Sequence, residues 1–312
     1  MNVYCDDSDY AAELGLATQP WQAVVAASAE EEIRPLISGL FRSDQLLRSG
    51  IGTKSFWKYL LAVKTASESQ FDALIRISQS ESSLPNGILT LAGSGSRLHG
   101  FKNRPWVALP GNIHLCAFFA PRQRVDHFAV GFTILAAVSV IEAIDAIEGF
   151  HGKASIKWVN DVLIDNAKVA GVIAHTQSQG DVVTSAVIGI GLNVESTPDV
   201  PRDPFVPRVA SLKDFAPNRI ACTQRTVLPR LLERLEENYG LLAQGQYGKL
   251  LNVYRRRSDI IGREVCIYGE DATSYDQPIA SGRVESIGEN LELYLSGHRS
   301  PIKTGRLVLR DS

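Results

Sequence analysis

The chain has 312 residues, of which 45% are hydrophobic and 21% are charged. This composition is typical of a folded globular protein, and it excludes a disordered or fibrous one. The formal net charge of −2 excludes a global attraction to nucleic acids or anionic membranes, so any basic binding surface must be local.

Cysteine usage and the first residues predict a cytoplasmic protein. The chain has four widely separated cysteines, with no paired spacing that suggests a metal or redox motif: Cys5, Cys116, Cys222 and Cys266. The acidic start, residues 1–7, lacks the basic and apolar regions of a secretory signal. The most apolar stretch, residues 128–141, is shorter than the roughly 20 residues that span a bilayer. We therefore expect a buried helix there and no membrane partner.

The first 55 residues show the least regular pattern. Ser28 and Glu31 could form a capping box, but Pro35 would interrupt the helix that they start. The segment also lacks the spacing and the basic face of a helix-turn-helix, so we expect no binding to nucleic acid. We assign no role to this N-terminal segment.

From Phe56 onward the predicted elements become clear. A strand over 59–63 leads to a capping box of Thr65 and Glu68, with a helix behind it. Strands follow over 87–92 and 113–119. The loop between them, Gly93–Gly111, is unusually long, and structureless loops of this length are usually functional or disordered.

Beyond the apolar helix the pattern alternates between strands and one more helix. Short strands are predicted over 155–157, 162–164, 169–174 and 183–192, with a turn at Asp165-Asn166. An amphipathic helix covers 227–242. Brief strands over 264–268, 279–287, 291–295 and 307–309 are typical of a small β-barrel. We predict an α+β chain of three parts: residues 1–55, 56–245 and 250–312.

The long loop combines glycines with cationic side chains. Glycines let backbone N–H groups approach a ligand, and Arg97 and Arg104 add positive charge, so Gly93–Arg104 suits a phosphate or a carboxylate. A flexible surface loop would have the same composition, and this motif alone leaves both interpretations open.

Lys157-Trp-Val-Asn160-Asp161 places a cation, an amide and a carboxylate between two short strands. A fixed lysine can stabilise the charge that develops when a carboxylate attacks an α-phosphate. The alternative is that Asn160 and Asp161 form a turn and Lys157 is solvated.

Two further motifs place glycines inside apolar strands. Lys168-Val-Ala-Gly171 and Gly189-Ile-Gly191-Leu-Asn193 could mark a close approach by a ligand, or a bulged core strand. The second motif is no dinucleotide fingerprint, because the third glycine is missing.

In this order the four motifs resemble those of the biotin–protein ligases, within the biotin/lipoate A/B protein ligase superfamily. The loop with Trp106 and Gly111-Asn112 is similar to the family's biotin loop. Lys157–Asp161 is similar to its Lys-Trp-Pro-Asn-Asp motif, with Val159 in place of proline. The resemblance implies a mixed-sheet catalytic domain over 56–245 and a small SH3-like β-barrel over 250–312.

The resemblance also implies an activity. Such an enzyme forms biotinyl-5′-AMP from biotin and ATP with Mg²⁺, then transfers biotin to a lysine of the biotin carboxyl carrier domain of a carboxylase. The implied catalytic residues are Lys157, Lys168, Asn160 and Asp161. The implied biotin- and adenylate-binding residues are Ser67, Ser69, Thr90, Gly93, Ser94, Gly95, Ser96, Arg97, Arg104, Trp106, Gly111, Asn112, Gly171, Gly189, Gly191 and Asn193. No protein residue is assigned as a metal ligand, and a homodimer is left open.

The chain departs from the family pattern in its loop. Ser94 and Ser96 stand where arginines are usual, and Thr90 replaces a glutamine. Arg97, His99, Lys102 or Arg104 could substitute for the arginines; otherwise we expect an enzyme that leaks its adenylate. Two alternatives stay open: a lipoate or octanoate ligase or transferase on the same fold, and a non-catalytic protein that binds biotin or an adenylate.

Overall fold

The computed structural model describes residues 1–52, 55–80, 84–201, 203–206, 208–217, 222–275 and 277–310. The last two residues of the predicted C-terminal domain lie outside these ranges. The described strands are β1 (Asn2–Cys5), β2 (Gln22–Val25), β3 (Gln45–Gly50), β4 (Tyr59–Ala66), β5 (Ile88–Gly95), β6 (Ile113–Phe119), β7 (Gln123–Arg124), β8 (Ala154–Lys157), β9 (Asp161–Ile164), β10 (Ala167–Gln179), β11 (Val182–Leu192), β12 (Glu264–Tyr268), β13 (Ala280–Ile287), β14 (Leu293–Leu295) and β15 (Arg306–Leu309). The described α-helices are α1 (Ser8–Leu14), α2 (Arg34–Leu40), α3 (Gln70–Ser80), α4 (Phe128–Asp145), α5 (Gln224–Ala243) and α6 (Tyr247–Arg256).

A large mixed sheet forms the centre of the protein. Its strand order is β2-β3-β1-β4-β5-β6-β11-β10-β9-β8, and β7 pairs with β11. β4 is parallel to both β1 and β5, whereas the other neighbours are antiparallel. The predicted α+β class with a mixed sheet is confirmed.

The two faces of this sheet are covered by different helices, as alternation along β4 shows. Leu60 and Ala62 join the core that contains α4, α5 and α6, whereas Leu61 and Val63 join the core beneath α2 and α3. Successive side chains of a strand point to opposite faces, so both faces of β4 are buried.

Helix α4 is long and apolar enough to cross a membrane by length and composition. However, 67% of it is buried inside the protein, and it packs on α5, α6 and β10. This is the situation of a core helix, and the predicted buried helix is confirmed, although it continues to Asp145.

The N-terminal residues are part of the main sheet. β1 lies between β3 and β4, where Val3 pairs with Ser49 on one side and with Leu60 on the other. The predicted boundary at residue 55 therefore falls inside one continuous sheet. Pro35 lies in the first turn of α2, where its missing N–H costs nothing, so the expected interruption of a helix by this proline is wrong.

Helix α3 begins later than predicted. β4 continues to Ala66, because Thr65 still pairs with Ser94 of β5. The capping residue is Ser69, whose Oγ accepts a hydrogen bond from the Asp72 backbone N–H at 3.3 Å. The predicted capping box of Thr65 and Glu68 is wrong, since Thr65 is paired within β4 and the Glu68 carboxylate binds Arg76 instead.

The C-terminal residues form a separate antiparallel sheet of four strands in the order β14-β13-β12-β15. All four were predicted within two residues at each end. The sheet is joined to the main sheet next to the Lys157 motif, where the Trp158 indole N–H donates to the Leu291 carbonyl at 2.6 Å.

Candidate functional site

Two adjoining cavities open beside the ends of β8–β11. The first is lined by residues 69–71, 98–101, 104–106, 114–116, 160–161, 168, 171–173 and 189–191. The second, nearer the C-terminal sheet, is lined by residues 101, 104, 157–161, 205–206, 270 and 305–307. Phe101, Arg104, Asn160 and Asp161 line both. All four sequence motifs therefore meet at one place: the loop, the Lys157 motif and the two glycine strands.

Lys168 and Asp161 form an ion pair in the first cavity. The Lys168 Nζ lies 2.7 Å from Asp161 Oδ1, and both side chains are largely buried. Asp161 is opposite Gly171 across β9 and β10, and the pairing shifts by one residue between Lys168 and Ala170. This irregularity directs a lysine and a carboxylate to the same cavity.

Trp106 lies over a pair of glycines. Gly171 and Gly191 are direct partners across β10 and β11. A Cβ atom at Gly191 would lie 2.3 Å from the Trp106 ring, and one at Gly171 would lie 3.6 Å from it. The Lys168 ammonium is 5.8 Å from the ring centroid. The glycines thus leave room for an aromatic ring against the strands, which explains their presence inside an apolar sheet.

His114 holds Trp106 in this position, and sequence reasoning missed it. The indole N–H donates to His114 Nδ1 at 3.1 Å, and His114 Nε2 lies 3.1 Å from the Leu109 carbonyl. Burial lowers the pKa of His114 to about 4, so the ring is neutral at pH 7. A neutral imidazole can accept at Nδ1 and donate at Nε2, as both contacts require.

Lys157 and Asn160 lie on the side of the second cavity. The Lys157 ammonium donates to the Phe205 carbonyl at 2.5 Å. Burial lowers the pKa of Lys157; Asp161 opposes this shift, and Lys168 and Arg306 add to it. The Asn160 Nδ2 donates to the Val172 carbonyl at 2.7 Å, which leaves its side-chain oxygen to face a ligand. The Trp158–Val159 peptide bond is cis.

Only the middle of the long loop lines the cavity. Residues 98–101 and 104–106 lie at its wall, whereas residues 93–97 do not. Gly93 and Gly95 instead allow close packing on the backbone of β4, and Ser94 contacts the Lys64 carbonyl. Ser96 and Arg97 are exposed, and the Arg97 Nε donates to the Ser67 carbonyl at 2.8 Å. Our assignment of the five residues Gly93–Arg97 to ligand contact is not supported by this arrangement.

Three charged residues of the loop reach three different neighbours. His99 Nε2 lies 2.6 Å from Asp72 of α3, and Lys102 forms an ion pair of 3.2 Å with Glu270 of the C-terminal region. Arg104 lies half-buried between the two cavities and over the Phe101 ring. Within the described part of the chain its guanidinium has no hydrogen-bond or ion-pair partner, so it can meet an anion.

Gly111, Asn112 and Asn193 anchor the backbone and lie outside both cavities. The Asn112 side-chain oxygen accepts from the backbone N–H groups of 194, 195 and 196, and its Nδ2 donates to the Ser196 carbonyl. Asn193 Nδ2 donates to the Ala210 carbonyl at 3.1 Å. We had expected all three residues to contact the ligand, but backbone groups already bind both ends of the Asn112 amide and the Nδ2 of Asn193. The Asn193 Oδ1 has no partner among the described residues.

The start of α3 contributes a polar group that the sequence did not reveal. Gln70 lines the first cavity and is only 3% exposed, yet neither its Oε1 nor its Nε2 has a partner among the residues that the structure describes. The buried Thr90 hydroxyl also has none, and Thr90 is opposite Cys116, which lines the cavity. Ser69 lines the cavity, whereas Ser67 lies outside it. Gly189 lines it but chiefly makes room for Phe71 and Ile173.

Comparison with known proteins accounts for this arrangement. Residues 85–193 match a family described as the biotin/lipoate A/B protein ligase family. This part of the chain is therefore similar to that family. The matched residues of the biotin/lipoate ligase region include the loop, both lysines and both glycine strands, whereas the C-terminal sheet and residues 1–84 lie outside the match.

Curated relatives and solved structures of biotin ligases are similar over a longer range. The bifunctional ligase/repressor BirA of Bacillus spizizenii is 28% identical over 198 residues, which is 63% of this chain and 58% of that protein. The chain thus matches little more than half the length of this relative. The biotin–[acetyl-CoA-carboxylase] ligase of Mycobacterium tuberculosis is 26% identical over 242 residues, or 75% of this chain and 82% of that protein.

The structural comparison confirms the fold of the biotin/lipoate ligase family. The biotin protein ligase from Aquifex aeolicus, solved in complex with biotin and ATP, superposes with a TM-score of 0.60 at 22% identity. The superposition covers 82% of this chain and 100% of that one.

Proposed function

We propose that the chain is an ATP-dependent biotin–protein ligase that acts through biotinyl-5′-AMP. The observation that carries this proposal is the convergence of Lys157, Lys168, Asn160 and Asp161 on two joined cavities beneath Trp106 and Arg104. The first cavity suits the carboxylic acid substrate, and the second cavity suits the nucleotide phosphates. Relatives whose names describe biotin ligases, and similar structures solved with biotin and ATP, support the same activity.

The two lysines suit the first half-reaction. The carboxylate oxygen of biotin attacks the α-phosphorus of ATP, a C–O–P link forms, and the bond to pyrophosphate breaks. Negative charge grows on the phosphorus oxygens in the transition state, and fixed cations stabilise it without reorganisation. Lys168 is fixed by Asp161 and Lys157 by the Phe205 carbonyl, so both are held before the substrate arrives.

The second half-reaction transfers the acyl group. The amine of a carrier lysine attacks the acyl carbon of the adenylate, an amide forms, and AMP leaves. We propose the biotin carboxyl carrier domain of a biotin-dependent carboxylase as this partner. Two relatives are named for such a reaction, the ligases of Paracoccus denitrificans and M. tuberculosis. A cytoplasmic location suits an enzyme that consumes ATP and carries four free cysteines.

Gln70 favours biotin over lipoate or octanoate. A buried amide without a partner is costly, roughly 1–3 kcal/mol, so the cavity favours a ligand that satisfies it. The cyclic urea of biotin offers one carbonyl acceptor and N–H donors, which complement the Nε2 and Oε1 of one amide. The distal ends of lipoate and octanoate offer neither, and a site built for such bonds discriminates strongly against ligands that lack them.

The site also suits Mg²⁺ that enters with ATP. Within the described residues there is no group of three or more His, Cys, Asp or Glu side chains that could hold a metal ion. Mg²⁺ commonly binds through substrate phosphates, water and one or two protein oxygens. Asp161 and the side-chain oxygen of Asn160 are the donors that would hold it. The ion would neutralise charge on the phosphates and on the leaving pyrophosphate.

ATP–pyrophosphate exchange, measured with biotin, lipoate and octanoate in turn, tests the proposal. We expect exchange with biotin and little with the other two acids. Exchange with lipoate or octanoate but not biotin would establish the alternative ligase of the same fold. Tight biotin binding without exchange would identify a binding protein and refute the enzyme.

A further inference from the structure

We propose that Arg306, in the C-terminal sheet, is a positioning residue for Lys157, and that it acts through the turn at residues 203–206. The proposal rests on the ligase function, because it concerns how the adenylating lysine is held. It concerns residues on both sides of the second cavity, where the C-terminal sheet meets the main sheet.

The position of the Lys157 ammonium depends on one backbone carbonyl. Its Nζ donates to the Phe205 oxygen at 2.5 Å, and among the described residues Lys157 belongs to no ion pair. A lysine side chain has four rotatable bonds and considerable rotamer entropy, so a single fixed acceptor strongly restricts where its charge lies. The location of the Phe205 carbonyl therefore sets the location of the charge.

Arg306 in turn fixes the turn that carries this carbonyl. Its Nη2 lies 3.0 and 2.8 Å from the two carboxylate oxygens of Asp203. Asp203 Oδ1 accepts the backbone N–H of Phe205 at 2.7 Å. The guanidinium carbon also lies 3.8 Å from the centroid of the Phe205 ring, which is buried. One side chain thus holds both the first residue of the turn and the residue whose carbonyl binds Lys157.

Arg306 is itself firmly placed. It begins β15 and pairs with Tyr268 of β12, and its Nη1 donates to the Ala272 carbonyl at 2.7 Å. Its side chain is only 9% exposed. Buried charged hydrogen bonds of this kind are directional, so movement of the C-terminal sheet is transmitted to the turn and to Lys157.

Full-length Arg306→Gln, Arg306→Lys and Asp203→Asn proteins, assayed by biotin-dependent ATP–pyrophosphate exchange, test the proposal. A displaced charge should lower kcat by about 10- to 100-fold in Arg306→Gln and leave KM for biotin nearly unchanged. Arg306→Lys keeps the positive charge but loses the planar guanidinium that bonds both Asp203 and the Ala272 carbonyl, so kcat should fall less. Asp203→Asn should lower kcat through the loosened turn.

Arg283→Gln is the matched control, because Arg283 bonds the Gly262 carbonyl and lines neither cavity. It should keep wild-type exchange. Wild-type kcat in Arg306→Gln would overturn the positioning role. The positioning role would also be overturned if the loss of rate only paralleled a loss of folded protein, as measured by circular dichroism. A wild-type protein without exchange with any of the three acids would instead overturn the ligase function, and the positioning role with it.

Discussion

The two walls of the first cavity are built in different ways. The framework wall consists of cavity residues from β9–β11 and the first turn of α3, and backbone pairing holds it. The loop wall, residues 98–106, is held mainly by three side-chain contacts: His99 to Asp72, Lys102 to Glu270 and Trp106 to His114. The strands cannot change their register unless the fold changes. Ion pairs near the surface, in contrast, separate at little cost in free energy. The framework is therefore suited to chemistry, and the loop is suited to admitting and retaining ligands.

The largest expected effect comes from Lys157 at the end of β8, beside the framework wall. Lys157→Ala should reduce biotin-dependent pyrophosphate exchange by about 10²–10³, because one fixed cation is lost from the transition state. Lys153→Ala is the control, since Lys153 is exposed and lies just before the same strand. Near-normal exchange in a folded Lys157→Ala protein would contradict the role given to this lysine.

Gln70→Leu tests the recognition of the urea by the same wall. Loss of two hydrogen bonds should raise KM for biotin by roughly 10- to 100-fold, while binding of octanoate should not weaken. Gln79→Leu makes the same change at an exposed position of the same helix and should have no effect. An unchanged KM for biotin, measured by exchange, would show that Gln70 is satisfied by something other than the substrate.

Arg104→Ala tests whether the loop wall retains the adenylate. Ser94 and Ser96 predict a leaky enzyme, but the unpartnered Arg104 guanidinium faces both cavities and can replace one missing arginine. Loss of one charge-assisted bond should increase the escape of biotinyl-adenylate about tenfold. Arg97→Ala is the control, because Arg97 bonds the Ser67 carbonyl outside the cavity. Equal escape from both variants and the wild type would show that no arginine of the loop acts as a clamp.

The smallest expected effect is a pH dependence of loop closure. Burial is the largest single influence on the pKa of His99 and lowers it, but the hydrogen bonds with Asp72 and the Gly100 carbonyl and the charge of Asp72 together outweigh it. The net shift is therefore upward from 6.5. The protonated pair therefore stabilises the closed loop fully below pH 6.5, and this contribution is lost as pH rises through the raised pKa. Trypsin should cut after Lys102 about two- to fivefold more slowly at pH 6 than at pH 9 once the trypsin rate itself is normalised.

His99→Asn should abolish that pH difference in cleavage. Lys249→Asn, a substitution of an exposed cation far along the chain, serves as the control. If the wild type and His99→Asn are cut with the same pH dependence, the pair does not control the loop.

The local sequence pattern predicted most of the helices and strands, but not which strands pair with one another. Strand and helix periodicity located β4–β6, β8, β9, β11, α4 and α5 to within a few residues, because alternation and helical spacing are written in consecutive residues. The two-residue β7 was not predicted, and β10 continues to Gln179, beyond its predicted end at Ala174. β1 could not be placed, since its partners Ser49 and Leu60 lie nearly 50 residues or more away along the chain. Gln70 and Arg306 were missed for the same reason: what makes each distinctive is burial beside residues distant in sequence.

The site assignments failed where one residue type serves two purposes. Lys157, Lys168 and Asp161 do lie at the cavities, because a cation and a carboxylate are rarely buried without a reason. An asparagine bonds a backbone as readily as a ligand, and Asn112 and Asn193 do the former. Glycines are similarly ambiguous: Gly191 accommodates an aromatic ring, whereas Gly93 permits only close strand packing.

The placement of β1 has a consequence for the order in which the chain can fold. Residues 2–5 are enclosed by β3 and β4, so during synthesis they must wait until residue 66 has left the ribosome before they can be seated. Contacts between residues far apart in the chain slow folding, because the entropy of loop closure is lost before strand pairing can stabilise the structure. For that interval the apolar Val3 and Tyr4, which end fully buried, are exposed to solvent. The nascent protein thus presents an unpaired strand early, at the stage when chaperones that bind short apolar segments act.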